Sequence, residues 1–256
     1  MKYIRQTLAL SIAAITLVGC ASTAQPGRST TLAEEVKGSG FLKDIYPLMI
    51  AGQDGEALRI YRNPKFESAA VFAQYTKVLL QPVSIYAKPG SELQALAPAE
   101  SAAIAQKFYT LLHDQLGKDY QIVAQPGPHT LQVSVAVVDA GASDSALEAL
   151  SYVPIPLGLP GAKMAVMQGT SHTTGKPPFA GQVSIEGKLT DAQTGELIAA
   201  QIDVRVGARH PIIGLFEGNT YDSWSDVDEA GRYWAERLSY RLCLRKGGSD
   251  CVEASE

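Results

Sequence analysis

Three segments with a strict period of two constrain this chain most. Leu131, Val133, Val135 and Val137 alternate with Gln132, Ser134 and Ala136. Between Gln182 and Thr190, Val183, Ile185 and Leu189 interleave with Glu186 and Lys188. Between Leu197 and Val206, Ile202, Val204 and Val206 interleave with Gln201, Asp203 and Arg205. Successive side chains of a strand point to opposite faces, so alternation of this kind reads as half-buried strands. The expectation is that the polar sets, Glu186 and Lys188 in one strand and Gln201, Asp203 and Arg205 in the other, face solvent. Thr194-Gly195 between the last two segments reads as a hairpin turn. Lys77 to Ile85 reads as a further buried strand, with Pro82 marking an edge or a bulge. Tyr120 to Val123 is a short strand, closed by the Pro126-Gly127-Pro128 turn. Asp54-Gly55, flanked by Met49-Ile50 and by Leu58, Ile60 and Tyr61, is a hairpin signal.

Two stretches switch to helical period. Pro98 suits the first turn of a helix, and Ile104, Phe108, Leu111, Leu112 and Leu116 form one apolar stripe before Gly117. A second helix is expected from about Asp226 to Lys246, with Val227, Ala230, Trp234, Leu238 and Leu242 as its core face. Its acids (Asp226, Asp228, Glu229) lie at the start and its bases (Arg241, Arg245, Lys246) at the end, as the helix dipole prefers. The order β-α-β-β-β-β-α predicts an α+β fold: a mostly antiparallel sheet of about five strands with two helices packed on one face. A long apolar insertion interrupts it.

The N-terminus carries an address. Lys2 and Arg5 precede an apolar run from Leu8 to Val18, which ends in Leu17-Val18-Gly19-Cys20. This is the layout of a secretory leader, and its apolar run is shorter than the roughly 20 residues a membrane span needs. Cys directly after a small residue matches a bacterial lipobox, in which the Cys is acylated and becomes the first residue. The alternative is an ordinary leader that happens to contain a Cys. The lipobox reading makes residues 1–19 a signal peptide and Cys20 the site of diacylglycerol and palmitate attachment. Residues 20–38, small and polar, then form a flexible tether, and 39–256 a single periplasmic domain. Ala21-Ser22 lacks the Asp that tends to hold lipoproteins at the inner membrane, so an outer-membrane location facing the periplasm is expected.

The leader holds two of the 22 basic residues and none of the 26 acidic ones, so the mature chain carries 20 against 26, a net charge of −6. A nucleic-acid surface would be basic and patched, and nucleic acid is excluded as an expected partner. With Cys20 lipidated, Cys243 and Cys251 remain, with Gly247-Gly248 between them to allow a turn. In an oxidising compartment they are expected to form a disulfide that pins the C-terminal tail to the last helix; the alternative is two free thiols.

Two segments break the pattern. Residues 141–180 are nearly uncharged and rich in Pro, with Tyr152, Ile155, Leu157, Met164 and Met167 as exposed-anchor candidates. Residues 210–224 are also apolar, with Ile213, Phe216 and Trp224. Insertions this long in a compact domain are usually functional, and apolar surface of this size often marks a binding site. The competing reading is that the insertion covers an open face of the sheet.

No catalytic set assembles. Gly169 to Lys176 has five residues between Gly169 and Gly175 and is followed by Pro177, so it fails as a phosphate loop. His113, His129, His172 and His210 show no metal-ligand spacing, and no G-x-S-x-G elbow occurs. No metal or cofactor is expected, and no enzymatic activity. Arg59, Arg62, Arg205 and Arg209 have the chemistry to bind an anion, although surface salt pairing is the default role.

The chain resembles a family of Gram-negative lipoproteins known as domain of unknown function 3313. The matching stretches are Ser39-Gly40-Phe41-Leu42, Tyr75-Thr76-Lys77-Val78-Leu79-Leu80-Gln81-Pro82-Val83, Gly161-Ala162-Lys163, Asp191-Ala192-Gln193-Thr194-Gly195-Glu196-Leu197 and Tyr233-Trp234-Ala235-Glu236-Arg237-Leu238. The resemblance implies a lipoprotein with one domain and carries over no catalytic residue. The function expected is a lipid-anchored, non-catalytic module of the cell envelope. It would sit on the membrane through its anchor and bind an envelope protein or component through 141–180 and 210–224. The alternative is a carrier or sensor of a small apolar ligand, and a hydrolase ranks behind both.

Overall fold

The period-two segments form the centre of a sheet. A computed structural model describes residues 23–24, 39–53, 55–87, 89, 91–141, 182–207 and 225–254. Among them nine strands join one sheet. They are β1 (Thr23–Ala24), β2 (Ile50–Ala51), β3 (Arg59–Arg62), β4 (Lys77–Leu80), β5 (Ser84–Ile85), β6 (Gln121–Ile122), β7 (Thr130–Gly141), β8 (Gln182–Asp191) and β9 (Leu197–Gly207). The helices are α1 (Ala69–Ala73), α2 (Pro98–Leu116) and α3 (Ser225–Arg245). The α+β class and the expected order from β4 to α3 are present.

Two parts of the expectation need correction. The sheet has nine strands rather than about five, and it is mixed. β4 runs parallel to both β6 and β7, and β5 runs parallel to β7. Parallel neighbours need a crossover, and α2 supplies it between β5 and β6. The strand expected over 77–85 splits at Pro82 into β4 and β5, both laid along β7. β9 is flanked in the same way: β3 pairs with Ala199–Ile202, and β1 with Val206–Gly207. β1 lies inside the stretch expected to be a free tether. β2 and β3 form the hairpin expected around Gly55, with Ile50 opposite Ile60.

α2 and α3 pack together on one face, as expected, and a third, short helix, α1, joins them. Phe108, Leu112 and Leu116 of α2 and Val227, Ala230, Trp234 and Leu242 of α3 share one core with Leu131, Val133, Val135, Val137, Ile185 and Leu189. Burying a side chain of this size contributes about 1.5–3 kcal/mol, so this face holds most of the folding energy.

The second correction concerns Glu186, Asp203 and Arg205, which are buried rather than solvated, while Lys188 and Gln201 are half-exposed. Asp203 and Arg205 are only 4% and 1% exposed. They lie on the helix-facing side of β9, where Trp234 Nε1 donates to Asp203 Oδ2 at 2.7 Å and the Arg205 guanidinium lies 3.5 Å from the Tyr233 ring centre. α3 therefore docks through a polar pair of contacts as well as through its apolar stripe. On the opposite face residues 39–49 cover the sheet, with Leu42 and Met49 packed on Ala200 and Ile202. Glu186 is buried beneath them and accepts from Ser39 N at 2.8 Å, Leu42 N at 3.2 Å and Tyr46 Oη at 2.7 Å. Burial and then the Glu186 contact raise the Tyr46 hydroxyl above its ordinary pKa, so it stays a donor.

Candidate functional site

α3 carries Arg237, Arg241 and Arg245 four residues apart, hence on one helical face. Beneath that face the sheet has a gap at Gly187, where no side chain rises from β8. The result is a cleft of about 130 Å³ with an apolar floor of Val133, Val135 and Leu189 and a roof of Leu238 and Leu242. Arg62 from β3 joins the three helical arginines in its lining.

The rim is held by the β2–β3 loop and by the tail. Arg241 donates to Gly55 O at 2.7 Å and lies 3.9 Å from Glu56, while Arg62 pairs directly with Glu56. Burial pushes the Glu56 carboxyl up, but hydrogen bonds from Gln53 N and Arg62, with the Arg62 and Arg241 charges, hold it below its ordinary value. Arg237 pairs with Glu253 at 3.1 Å. The same tail is tied to α3 by the Cys243–Cys251 disulfide, which is formed as expected, with its Cα atoms 5.7 Å apart. Gly247 takes φ +80°, and Gly248 N donates to Cys243 O at 3.1 Å, so the two glycines reverse the chain and send the tail back along α3.

The cations themselves are poorly placed for charge. Burial lowers the pKa of Arg245 first, and the Arg62 and Arg241 charges lower it further. Arg241 is lowered by burial and then by Arg237, with Arg62 adding to the effect and Glu56 opposing it. Arg245 Nη1 is buried without a hydrogen-bond partner among the described residues, and the guanidinium lies 5.2 Å from the Phe72 ring centre. A wider groove between α2 and Leu79–Val83 is lined by no Asp, Glu, Lys or Arg. No cluster of three metal-ligating side chains occurs among the described residues.

The register brings the roots of both apolar segments to one end of the sheet. Gly141, which ends β7, is opposite Gln182, which starts β8, and Gln182 is opposite Val206 at the end of β9. Thr23 pairs with Gly207 at that same end, and β1 runs antiparallel to β9. Cys20 is three residues upstream of Thr23, a reach of at most about 11 Å. Cys20 itself, and Tyr152, Ile155, Leu157, Met164, Met167, Ile213, Phe216 and Trp224, lie outside the described residues, as do His172 and His210. His113 is exposed beside Asp114 at 3.2 Å.

The arginine face was missed in the sequence, where Arg241 and Arg245 were read only as partners of the helix dipole. The spacing Arg237-x3-Arg241-x3-Arg245 was the available signal.

Several motifs that carried the family resemblance act as structural clamps. Tyr75 Oη donates to Asp191 Oδ2 at 2.8 Å, and Asp191 Oδ1 closes its own turn by accepting from Thr194 N at 2.7 Å and Gln193 N at 3.0 Å. Ser39 and Leu42 bind Glu186, and Trp234 binds Asp203. The fold and these clamps define an α+β domain built to hold an N-terminal segment and a C-terminal helix on opposite faces of one sheet. The chain belongs to the family described as "Protein of unknown function (DUF3313)", whose model matches residues 37–238. No curated protein matches it. Among solved structures it is similar to a variant PelC dodecamer from Paraburkholderia phytofirmans, at 13% identity and TM-score 0.32, over 75% of this chain and 97% of that one. A second PelC dodecamer from Paraburkholderia phytofirmans matches at 12% identity and TM-score 0.29, over 62% and 88% of the two chains.

Proposed function

We propose that the protein is a lipid-anchored, non-catalytic module of the cell envelope, acylated at Cys20 and exposed to the periplasm at the outer membrane. It binds an envelope component through the apolar segments 141–180 and 210–224. One observation carries this reading: both segments leave the sheet at the end where β1 brings the chain nearest to Cys20. An anchor and two apolar segments rooted together make a single membrane-proximal working end. Their shared root also favours one combined surface over two unrelated loops. Residues 39–49 cover the sheet over Ala200 and Ile202, which supports a role for the insertion other than covering that part of the face.

The anchor is tested with Cys20→Ala. The expected outcome is loss of palmitate incorporation and release from the membrane fraction. A variant that remains membrane-bound, with the leader uncleaved, would remove the lipoprotein reading.

A further inference from the structure

We propose that the cleft between α3 and the sheet is a binding site for an organic phosphate: a phosphate group held by Arg241 and Arg245, with a short apolar group lying on Val133, Val135 and Leu189 beside Gly187. This site is separate from the working end of the preceding section, and neither depends on the other.

The chemistry of the rim selects the headgroup. The rim holds four arginines, Arg62, Arg237, Arg241 and Arg245, against one carboxylate, Glu56, while the Lys188 ammonium stands over the Phe41 ring on the opposite face of the sheet. Glu253 on Arg237 and Glu67 acting on Arg245 add two more carboxylates. Four against three leaves an excess of one positive charge, which favours an anionic group such as a phosphate monoester, of charge about −1.5 to −2 at neutral pH. Arginine forks bind phosphate oxygens in pairs. Arg245 Nη1 is a buried donor with no acceptor among the described residues, and a buried donor left that way costs free energy that a ligand oxygen would recover. Like charges four residues apart on a helix repel. The row Arg237, Arg241 and Arg245 accumulates that repulsion, and an anion between them relieves it.

The floor selects the rest of the ligand. Its lining is apolar, and its volume of about 130 Å³ is close to the size of cavity that accepts a benzene-sized group. Gly187 keeps it open. A Cβ there would meet Gln201 Cγ at 3.6 Å and Ser134 O at 3.9 Å, so the backbone tolerates a side chain and the space above is what a larger one would take.

The test is calorimetric titration of the full chain with three probes: hexyl phosphate, inorganic phosphate and hexanol. Hexyl phosphate is expected to bind saturably and at least tenfold more tightly than either of the others. Arg245→Gln is expected to weaken hexyl phosphate at least tenfold and leave hexanol unchanged. Gly187→Leu is expected to abolish hexyl phosphate binding and leave inorganic phosphate unchanged. Hexanol binding as tightly as hexyl phosphate overturns the anion assignment. Inorganic phosphate binding as tightly overturns the apolar half and points to free phosphate as the ligand. Absence of saturable binding by all three overturns the site. The three-probe comparison on the unaltered chain decides without relying on any variant to fold.

Discussion

Glu186→Ala removes a side chain that joins residues 39–49 to the sheet by three hydrogen bonds. The magnitude follows from what is left behind. Leu42 is 1% exposed, and its N–H, now 3.2 Å from Glu186 Oε2, would be left with only the longer contact to Tyr46 Oη at 3.4 Å and no water. Such a buried donor costs about 1–3 kcal/mol. Ser39 N and Tyr46 Oη are only partly buried and can turn to water, so each loses the low end of the net value of a bond to a charged acceptor, about 1.5 kcal/mol. The sum is about 4–6 kcal/mol, concentrated on the docking of one segment rather than on the whole fold. Native-state hydrogen exchange reads it directly. Protection of the Leu42 amide should fall by about three to four powers of ten, at roughly 1.4 kcal/mol per tenfold, while the Ile185 amide in the sheet falls much less. Tyr46→Phe removes the bond to Glu186 and the acceptor of the Gly40 and Leu42 amides, and should lower Leu42 protection by about tenfold or more. A change at Leu42 below tenfold in Glu186→Ala would refute the clamp. Equal losses at Leu42 and Ile185 would refute its being local.

Further perturbations reach the other clamps. In Gly248→Ala the new Cβ would sit 2.7 Å and 3.0 Å from the sulfurs of Cys243 and Cys251, so the disulfide should form poorly, read as free thiols by alkylation and mass spectrometry. Cys243→Ser opens a loop of sequence separation 8 and should cost at most about 2.5 kcal/mol in urea unfolding; tail residues near Glu253 should become protease-sensitive, and an unchanged cleavage pattern would show that the tail is held otherwise. Asp191 has burial acting upward on its pKa, but the Thr194 N–H, the Tyr75 and Thr194 hydroxyls and the Gln193 N–H together hold it below its ordinary 3.8. A carboxyl lowered on folding contributes stability that is full above its unfolded pKa and is lost as pH falls through the folded one. Asp191→Asn should therefore be less stable than the unaltered chain at pH 6, with the gap closing below about pH 3.8; a gap independent of pH would contradict the assignment.

The strands and helices were legible because their periods are set by local geometry. The stripe Phe108, Leu112, Leu116 and the set Leu131 to Val137 bury as their spacing predicts. The two-sided burial was not legible. Glu186, Asp203 and Arg205 have the alternation of a solvated face, and only partners 28 to 147 residues away reveal that they are covered. The parallel pairings were likewise hidden, since β4 and β7 are joined through α2 and alternation carries no direction. For the site, the disulfide was readable from compartment and spacing. The cleft was not, because it exists only where a glycine in β8 faces a row of arginines on α3. The common root of the two apolar segments needed the register Gly141, Gln182 and Val206.

That register also supplies the decisive measurement. Gly141 and Gln182 are cross-strand neighbours, so a two-residue Asn-Gly turn can replace residues 142–181 and close β7 onto β8 as a hairpin. In-cell crosslinking with mass spectrometry then compares this shortened, folded chain with the intact one. Specific crosslinks to an envelope component that are present in the intact chain and lost in the shortened one are the predicted result. Identical crosslinks in both chains, or none in either, would contradict the claim that the anchored end is the working end.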